Sequence, residues 1–266
     1  MASVLEQLSE GNSQVLVCTH SPYFVTGKGF EDIRLIKKID SHATVSKATY
    51  EQVSGKIAEA SGKPFIKPSG RLAKVHQALQ PALNEMFFTP RLVLVEGLED
   101  IAYITTYLHL TGLWSMYRRC GCHIVAAEGK SSMVQPLSIA LCLGIPTYTI
   151  FDADGHDPKH KNNHEPDNLT LMRLCNTVKP EPFPEKTLWA NGLTVWPSEI
   201  GNVVKEEIGE ENWQKYAEPA RELFGAPGGL EKNSLFVAEV LSTAWDDGKK
   251  SCSLEQLCHV IVGWLK

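Results

Sequence analysis

The stretch Arg91-Leu-Val-Leu-Val-Glu-Gly-Leu-Glu-Asp100 constrains the fold more than any other part of the chain. Leu92 to Val95 form an unbroken apolar run, the pattern of a short strand buried on both faces. Glu96 and Gly97 fall where that strand ends. From Leu98 the spacing becomes helical, with Leu98, Ile101, Ala102, Ile104 and Leu108 along one stripe. A carboxylate at the C-terminal end of a strand, followed by glycine and a helix, sits where open α/β sheets place their ligands. Asp100 lies one helical turn beyond Glu96, so the two carboxylates can face one point.

A second apolar strand leads into Asp152-Ala153-Asp154-Gly155. Residues two apart on an extended chain point the same way, so Asp152 and Asp154 are expected to share a face. Glu96, Asp100, Asp152 and Asp154 at adjacent strand ends would repel one another unless cations sat among them. Oxygen ligands select hard cations, here Mg²⁺ or Mn²⁺.

A strand ending in Glu-Gly, then a strand ending in Asp-x-Asp, resembles the Toprim domain of topoisomerases, bacterial primases and several nucleases. The finer pattern is similar to the OLD (overcoming lysogenization defect) family nucleases. The matching pieces are Glu96-Gly-Leu-Glu-Asp100, Gly129-Lys-Ser-Ser132 after a strand, Asp152-Ala-Asp154, Pro197-Ser-Glu199, and Lys232 ahead of a helix. They spread over roughly the last two thirds of the chain. Near the start, Thr19-His20-Ser21-Pro22 follows a short apolar run. Alone it is a histidine in a loop capped by Ser-Pro; beside a Toprim-like region it resembles the γ-phosphate switch of an ABC-type ATPase. No P-loop accompanies it. Gly129-Lys130-Ser131 would need glycine at position 124, and Ile124 stands there. Residues 1–48 are therefore expected to be the tail of an ATPase domain whose body lies outside this chain, unable to hydrolyse ATP alone.

The resemblance implies metal-dependent cleavage of DNA. Two divalent ions, Mg²⁺ or Mn²⁺, would lie about 4 Å apart. Glu96, Asp100 and Asp152 would hold one; Asp154 and Glu199, with Ser198, would hold the other. Glu96, Asp152 and Lys232 are the expected catalytic residues, with Lys232 neutralising charge on the scissile phosphate. Lys249 and Lys250 remain alternatives for that lysine. Lys130 and Ser131, beside the first strand end, are expected to orient a phosphate. The implied partners are DNA and the ATPase domain of the same longer protein, with a homo-oligomer forming through the ATPase part. Primase or topoisomerase chemistry is a rival, although none of the seven tyrosines can be assigned as a nucleophile and no zinc module is present. A nucleotide- or phosphate-binding module with one structural Mg²⁺ is a second rival, but it would need neither Glu199 nor Lys232.

Composition narrows little else. With 43% hydrophobic and 21% charged residues, the 266-residue chain is expected to be globular. No membrane-spanning run and no secretory signal are visible, so a cytoplasmic location is the default. A net charge of −5 argues mildly against a nucleic-acid coat but not against a metal nuclease. Seven cysteines without paired Cys-x-x-Cys motifs read as free thiols in a reducing compartment.

The expected fold class is α/β. A Toprim-like, mainly parallel sheet with helices on both faces would fill 89–204, with strands 92–95, 123–127, 147–151 and 193–196. A short α/β segment precedes it, with strands 14–18, 33–37 and 44–47. A helical linker spans 49–88, broken at Pro81. A polar insert, 155–191, should hold one helix over 167–178. Within it His156, His160 and His164 recur every four residues. Asp157-Pro158 and Asn162-Asn163 argue for an exposed loop there, in which Lys159, His160 and Lys161 could meet phosphates. Residues 205–266 form a helical extension with a turn at Pro227-Gly228-Gly229 and a Ser253/Gln256 capping box opening the last helix.

Overall fold

The computed structural model describes residues 2–11, 13–64, 66–156, 161–224 and 232–264. Helix α1 (Ala2–Ser9) is followed by extended chain and two 3-10 turns, Pro22–Phe24 and Phe30–Asp32. Strands β1 (Leu35–Ile39) and β2 (His42–Ser46) then pair as an antiparallel hairpin. No strand forms over 14–18. That stretch has no neighbouring strand to pair with, and Leu16 stands almost wholly exposed.

Helices α2 (Tyr50–Ser61), α3 (Pro68–Ala78) and the single turn α4 (Pro81–Asn84) follow, with a 3-10 turn at Glu85–Phe88. Thr49 and Gln52 close a capping box on α2. Pro81 splits the linker helix as expected, because it has no N–H to continue α3.

The central sheet contains β3 (Arg91–Val95), β4 (Cys122–Ala126), β5 (Thr147–Asp152), β6 (Leu188–Ala190) and β7 (Leu193–Trp196), in the order β4-β3-β5-β7-β6. The first four in that order run parallel; β6 is an antiparallel edge strand that the sequence pattern did not reveal. Between strands lie α5 (Leu98–Leu110), α6 (Trp114–Arg119), α7 (Lys130–Cys142) and α8 (Lys161–Leu174). The C-terminal helices are α9 (Ile200–Ile208), α10 (Glu210–Phe224), α11 (Ser234–Asp246) and α12 (Cys252–Trp264).

The strands are apolar on both faces, and each face has its own core. Val93 and Val95 join Tyr148 and Ile150 under α5, α9, α10, α11 and α12. Leu92 and Leu94, pointing the other way, join Phe151 under α2, α3, α7 and α8. Val25, Phe30 and Ala48 from the N-terminal segment belong to that second core. The chain leaves β3 for β4 on one side and returns past β3 to β5 on the other, so the crossover point opens between β3 and β5 at their C-terminal ends.

Three expected features are corrected. Helix α8 begins at Lys161, six residues earlier than anticipated, and includes Pro166 within its first two turns. The last helix is capped by Ser251, whose Oγ accepts from the Leu254 N–H at 3.2 Å; Ser253 lies inside the helix and bonds Glu207 instead. The helix that opens at Leu98, expected to run to Leu113, ends at Leu110, and a short helix the pattern did not reveal, α6, follows beyond Gly112 with φ +72°. Gly225, the Pro227-Gly228-Gly229 turn, Asp157-Pro158, Lys159 and His160 lie outside the described residues. Among the described residues no helix is long and apolar enough to cross a membrane.

Candidate active site

The parallel sheet delivers its strand ends to one edge. Glu96 follows β3, Asp152 ends β5, the loop after β4 carries Lys130 at the start of α7, and Ser198 and Glu199 follow β7. The backbone knits these ends together: Gly129 N–H donates to Glu96 O at 2.9 Å, and Ala153 N–H donates to Trp196 O at 2.7 Å.

Asp100 lies in the first turn of α5, where one oxygen accepts from the Gly97 N–H at 2.7 Å. That bond bends the chain from strand into helix and aims the other oxygen inward. Asp100 and Asp152 are 4% and 9% exposed. Oε2 of Glu96, Oδ1 of Asp100 and Oδ1 of Asp152 are all buried without a hydrogen-bond partner. Buried carboxylate oxygens are seldom left so, because the desolvation cost is not returned.

Their titration reflects this. Burial pushes Asp100 from 3.8 up to about 7, with Glu96 and Glu99 adding repulsion against the Gly97 hydrogen bond. Burial also holds Asp152 well above the carboxylate range, reinforced by Asp100, Glu96 and Asp154. Glu96 is raised by burial, and Lys130 pulls against the shift. The three carboxylates therefore sense one another as close neighbours.

Asp154 departs from the expected arrangement. Its φ of +55° ends the extended run after Ala153, so it does not simply repeat the direction of Asp152. Its Oδ2 accepts from Lys130 Nζ at 2.6 Å. His164 Nδ1 lies 3.5 Å from the same oxygen. Lys130 is thus tied to a carboxylate, and Ser131 donates its hydroxyl to Asp167. Both are engaged within the protein, not presented to a phosphate as expected. His164 is on α8 and partly buried, whereas the spacing argument had left it in an exposed loop. Asn162, Asn163 and Pro166 in the first two turns of α8 had argued against a helix there.

Across the site, Lys232 Nζ approaches Glu99 Oε2 at 3.1 Å and Glu199 Oε1 at 3.7 Å. Burial opposes its charge, but Glu99, Glu199 and Asp152 outweigh burial and hold its pKa above the ordinary lysine value. Lys249 and Lys250 follow the far end of α11, and a 13-residue helix spans roughly 20 Å. Lys250 stacks its ammonium 3.7 Å from the Trp245 ring centre. The structure brings Lys232, and neither of the other two, to the carboxylates. Glu99 was not singled out from the sequence; its place between Leu98 and Asp100 in the first turn of α5 was the available clue.

His20 lies elsewhere. It lines a recess of about 400 Å³ with Glu85, Phe88 and His123, at the N-terminal edge of the sheet. A five-residue strand separates that edge from the carboxylates by roughly 16 Å.

Among the described residues no three His, Cys, Asp or Glu side chains close into a ready-made metal cage. The donor chemistry nevertheless fits a hard divalent cation, because the three unpartnered oxygens are carboxylate oxygens, on Glu96 and Asp152 at two neighbouring strand ends and on Asp100 in the helix that follows the first.

A mostly parallel α/β sheet flanked by helices, with acidic residues at the ends of two central strands, is consistent with a Toprim-like fold. Residues 87–154 match the family model described as Overcoming lysogenization defect protein-like, TOPRIM domain, so this part of the chain is an OLD-like Toprim region. The match takes in Glu96, Asp100, Lys130, Asp152 and Asp154 and stops before His164, Glu199 and Lys232. None of the curated proteins matches the chain.

Proposed function

We infer that the chain is a divalent-metal-dependent DNA endonuclease that hydrolyses phosphodiesters. The observation that carries this reading is the trio of buried, unpartnered oxygens on Glu96, Asp100 and Asp152. These residues would hold one Mg²⁺ or Mn²⁺. Asp154, Glu199 and Ser198 are the residues for a second. Such ions supply Lewis acidity toward water and the scissile phosphate. Lys232 is the group best placed to meet the phosphate, because it is 66% exposed at its side chain while three acidic groups keep it charged. No base-reading motif is visible in the sequence, so cleavage is expected to be largely independent of sequence. The first 48 residues are proposed as the edge of an ATPase domain in a longer protein, a reading supported by the exposed apolar side chains of Leu16, Ile36 and Val45.

The test is cleavage of supercoiled plasmid in Mg²⁺, Mn²⁺, Ca²⁺ or EDTA, with Glu96→Gln and Asp152→Asn alongside. Nicked or linear DNA that needs Mg²⁺ or Mn²⁺ and disappears in both variants is the expected result. Cleavage by Asp152→Asn at the wild-type rate would overturn the assignment. Metal binding by a folded wild type without any cleavage would favour a nucleotide-binding module.

A further inference from the structure

The acidic groups of this edge fall into two sets that differ in one respect. One oxygen each of Glu96, Asp100 and Asp152 has no partner. Asp154 and Glu199 already face protein cations, Lys130 at 2.6 Å and Lys232 at 3.7 Å. The Lys130 pairing is the tighter, and its burial makes it more than a surface contact. Lys130 is 5% exposed, and its Nζ also lies 3.4 Å from His164 Nδ1. A buried ammonium is costly without a carboxylate partner, so Lys130 and Asp154 hold each other in place.

We propose that Lys130 is a built-in occupant of the second cation position: the free protein takes one divalent ion, at Glu96, Asp100 and Asp152, and Asp154 becomes a ligand only when Lys130 is drawn off it. The proposal rests on reading this edge as a metal centre. A divalent ion approaching Asp154 in the free protein must compete with an ammonium that is already desolvated and hydrogen-bonded on two sides. An ion approaching Glu96, Asp100 and Asp152 instead relieves repulsion that Lys130 offsets only in part. The first site is thereby favoured over the second without any difference in ligand type.

The experiment counts Mn²⁺ ions bound by the whole chain, by titration calorimetry and by the loss of the free-Mn²⁺ paramagnetic resonance signal. No nucleic acid is present. The wild type is expected to bind one ion, and Lys130→Gln two. Asp154→Asn, which lacks the second-site ligand, is expected still to bind one ion. Two ions on the wild type would overturn the proposal while leaving the metal centre intact. No ion on the wild type would remove the metal centre itself, and this proposal with it. A folded Lys130→Gln that still binds one ion would refute the role of Lys130. Should Lys130→Gln fail to fold, loss of the first ion in Asp154→Asn would refute the division of the two sets.

Discussion

Asp100→Asn should make the metal-free protein more stable, not less. Asp100 is 4% exposed, and its pKa is raised from 3.8 to about 7, chiefly by burial and then by Glu96 and Glu99. A displacement of that size corresponds to on the order of 4 kcal/mol of folding free energy lost once the group ionises. Asparagine removes the charge and keeps an oxygen for the Gly97 N–H, which Asp100 now accepts at 2.7 Å. Its amide would be buried with incomplete hydrogen bonding, which costs about 1–3 kcal/mol. The balance is a gain of about 1–3 kcal/mol above pH 7, or several degrees of Tm at about 2–4 °C per kcal/mol for a chain of this size. The sign with pH follows from the raised pKa. Below about pH 4 the carboxyl is protonated in both folded and unfolded chains, so no penalty exists. The wild type loses stability as pH rises from there through about 7, and the gap to Asp100→Asn opens over the same range. Thermal unfolding in EDTA at pH 8 and pH 5, then with Mn²⁺ at pH 8, reads all of this. Mn²⁺ should raise the wild-type Tm strongly and the variant's weakly. A variant less stable than the wild type in EDTA at pH 8, or equal stabilisation of both by Mn²⁺, would refute the reasoning.

Three further outcomes follow from other contacts. Lys232→Ala should lower the initial rate of plasmid cleavage by about 10²–10³, the usual cost of losing a group that stabilises developing charge, while Mn²⁺ affinity stays near wild type. Gly201→Ala would bring a Cβ to 2.9 Å from Glu99 Oε1 and 3.2 Å from the Tyr103 hydroxyl. Because Glu99 can swing while the helix gains about 0.5–1 kcal/mol from alanine, Tm should hardly change, but cleavage should fall several-fold as Glu99 is displaced from Lys232. Ser251→Ala removes both the cap on the Leu254 N–H and a partner of Glu207, so denaturant unfolding should show a loss of about 1 kcal/mol with Mn²⁺ binding unchanged.

The sheet was legible because its strands are short apolar runs that end in punctuation. Leu92 to Val95 needs partners on both faces, and only a covered parallel sheet supplies them. The ends of β3 and β5 were therefore placed to within a residue or two, and Glu96, Asp100 and Asp152 with them. Edge strand β6 escaped notice because three residues make no alternation. The start of α8 escaped because Asn162, Asn163 and Pro166 are poor helix residues, and Pro166 stands sixth in the helix. The 14–18 stretch shows the opposite failure. Its composition suits a strand, but a strand exists only with a neighbour, and no neighbour is supplied.

Side-chain pairing was the part that periodicity could not reach. Alternation on an extended chain sends Asp152 and Asp154 the same way, yet a left-handed backbone at Asp154 and a lysine 24 residues upstream decide otherwise. The result has a physical logic that links stability to chemistry. Several carboxylates at one sheet edge cost the metal-free fold heavily, and the chain neutralises some of them with Lys130 and Lys232. Doing the same for Glu96, Asp100 and Asp152 would give a more stable protein with no place for a divalent ion. Leaving those three unpaired keeps a local deficit of positive charge that only a ligand can fill. The residues that weaken the free fold most are accordingly the ones through which an ion would strengthen it most.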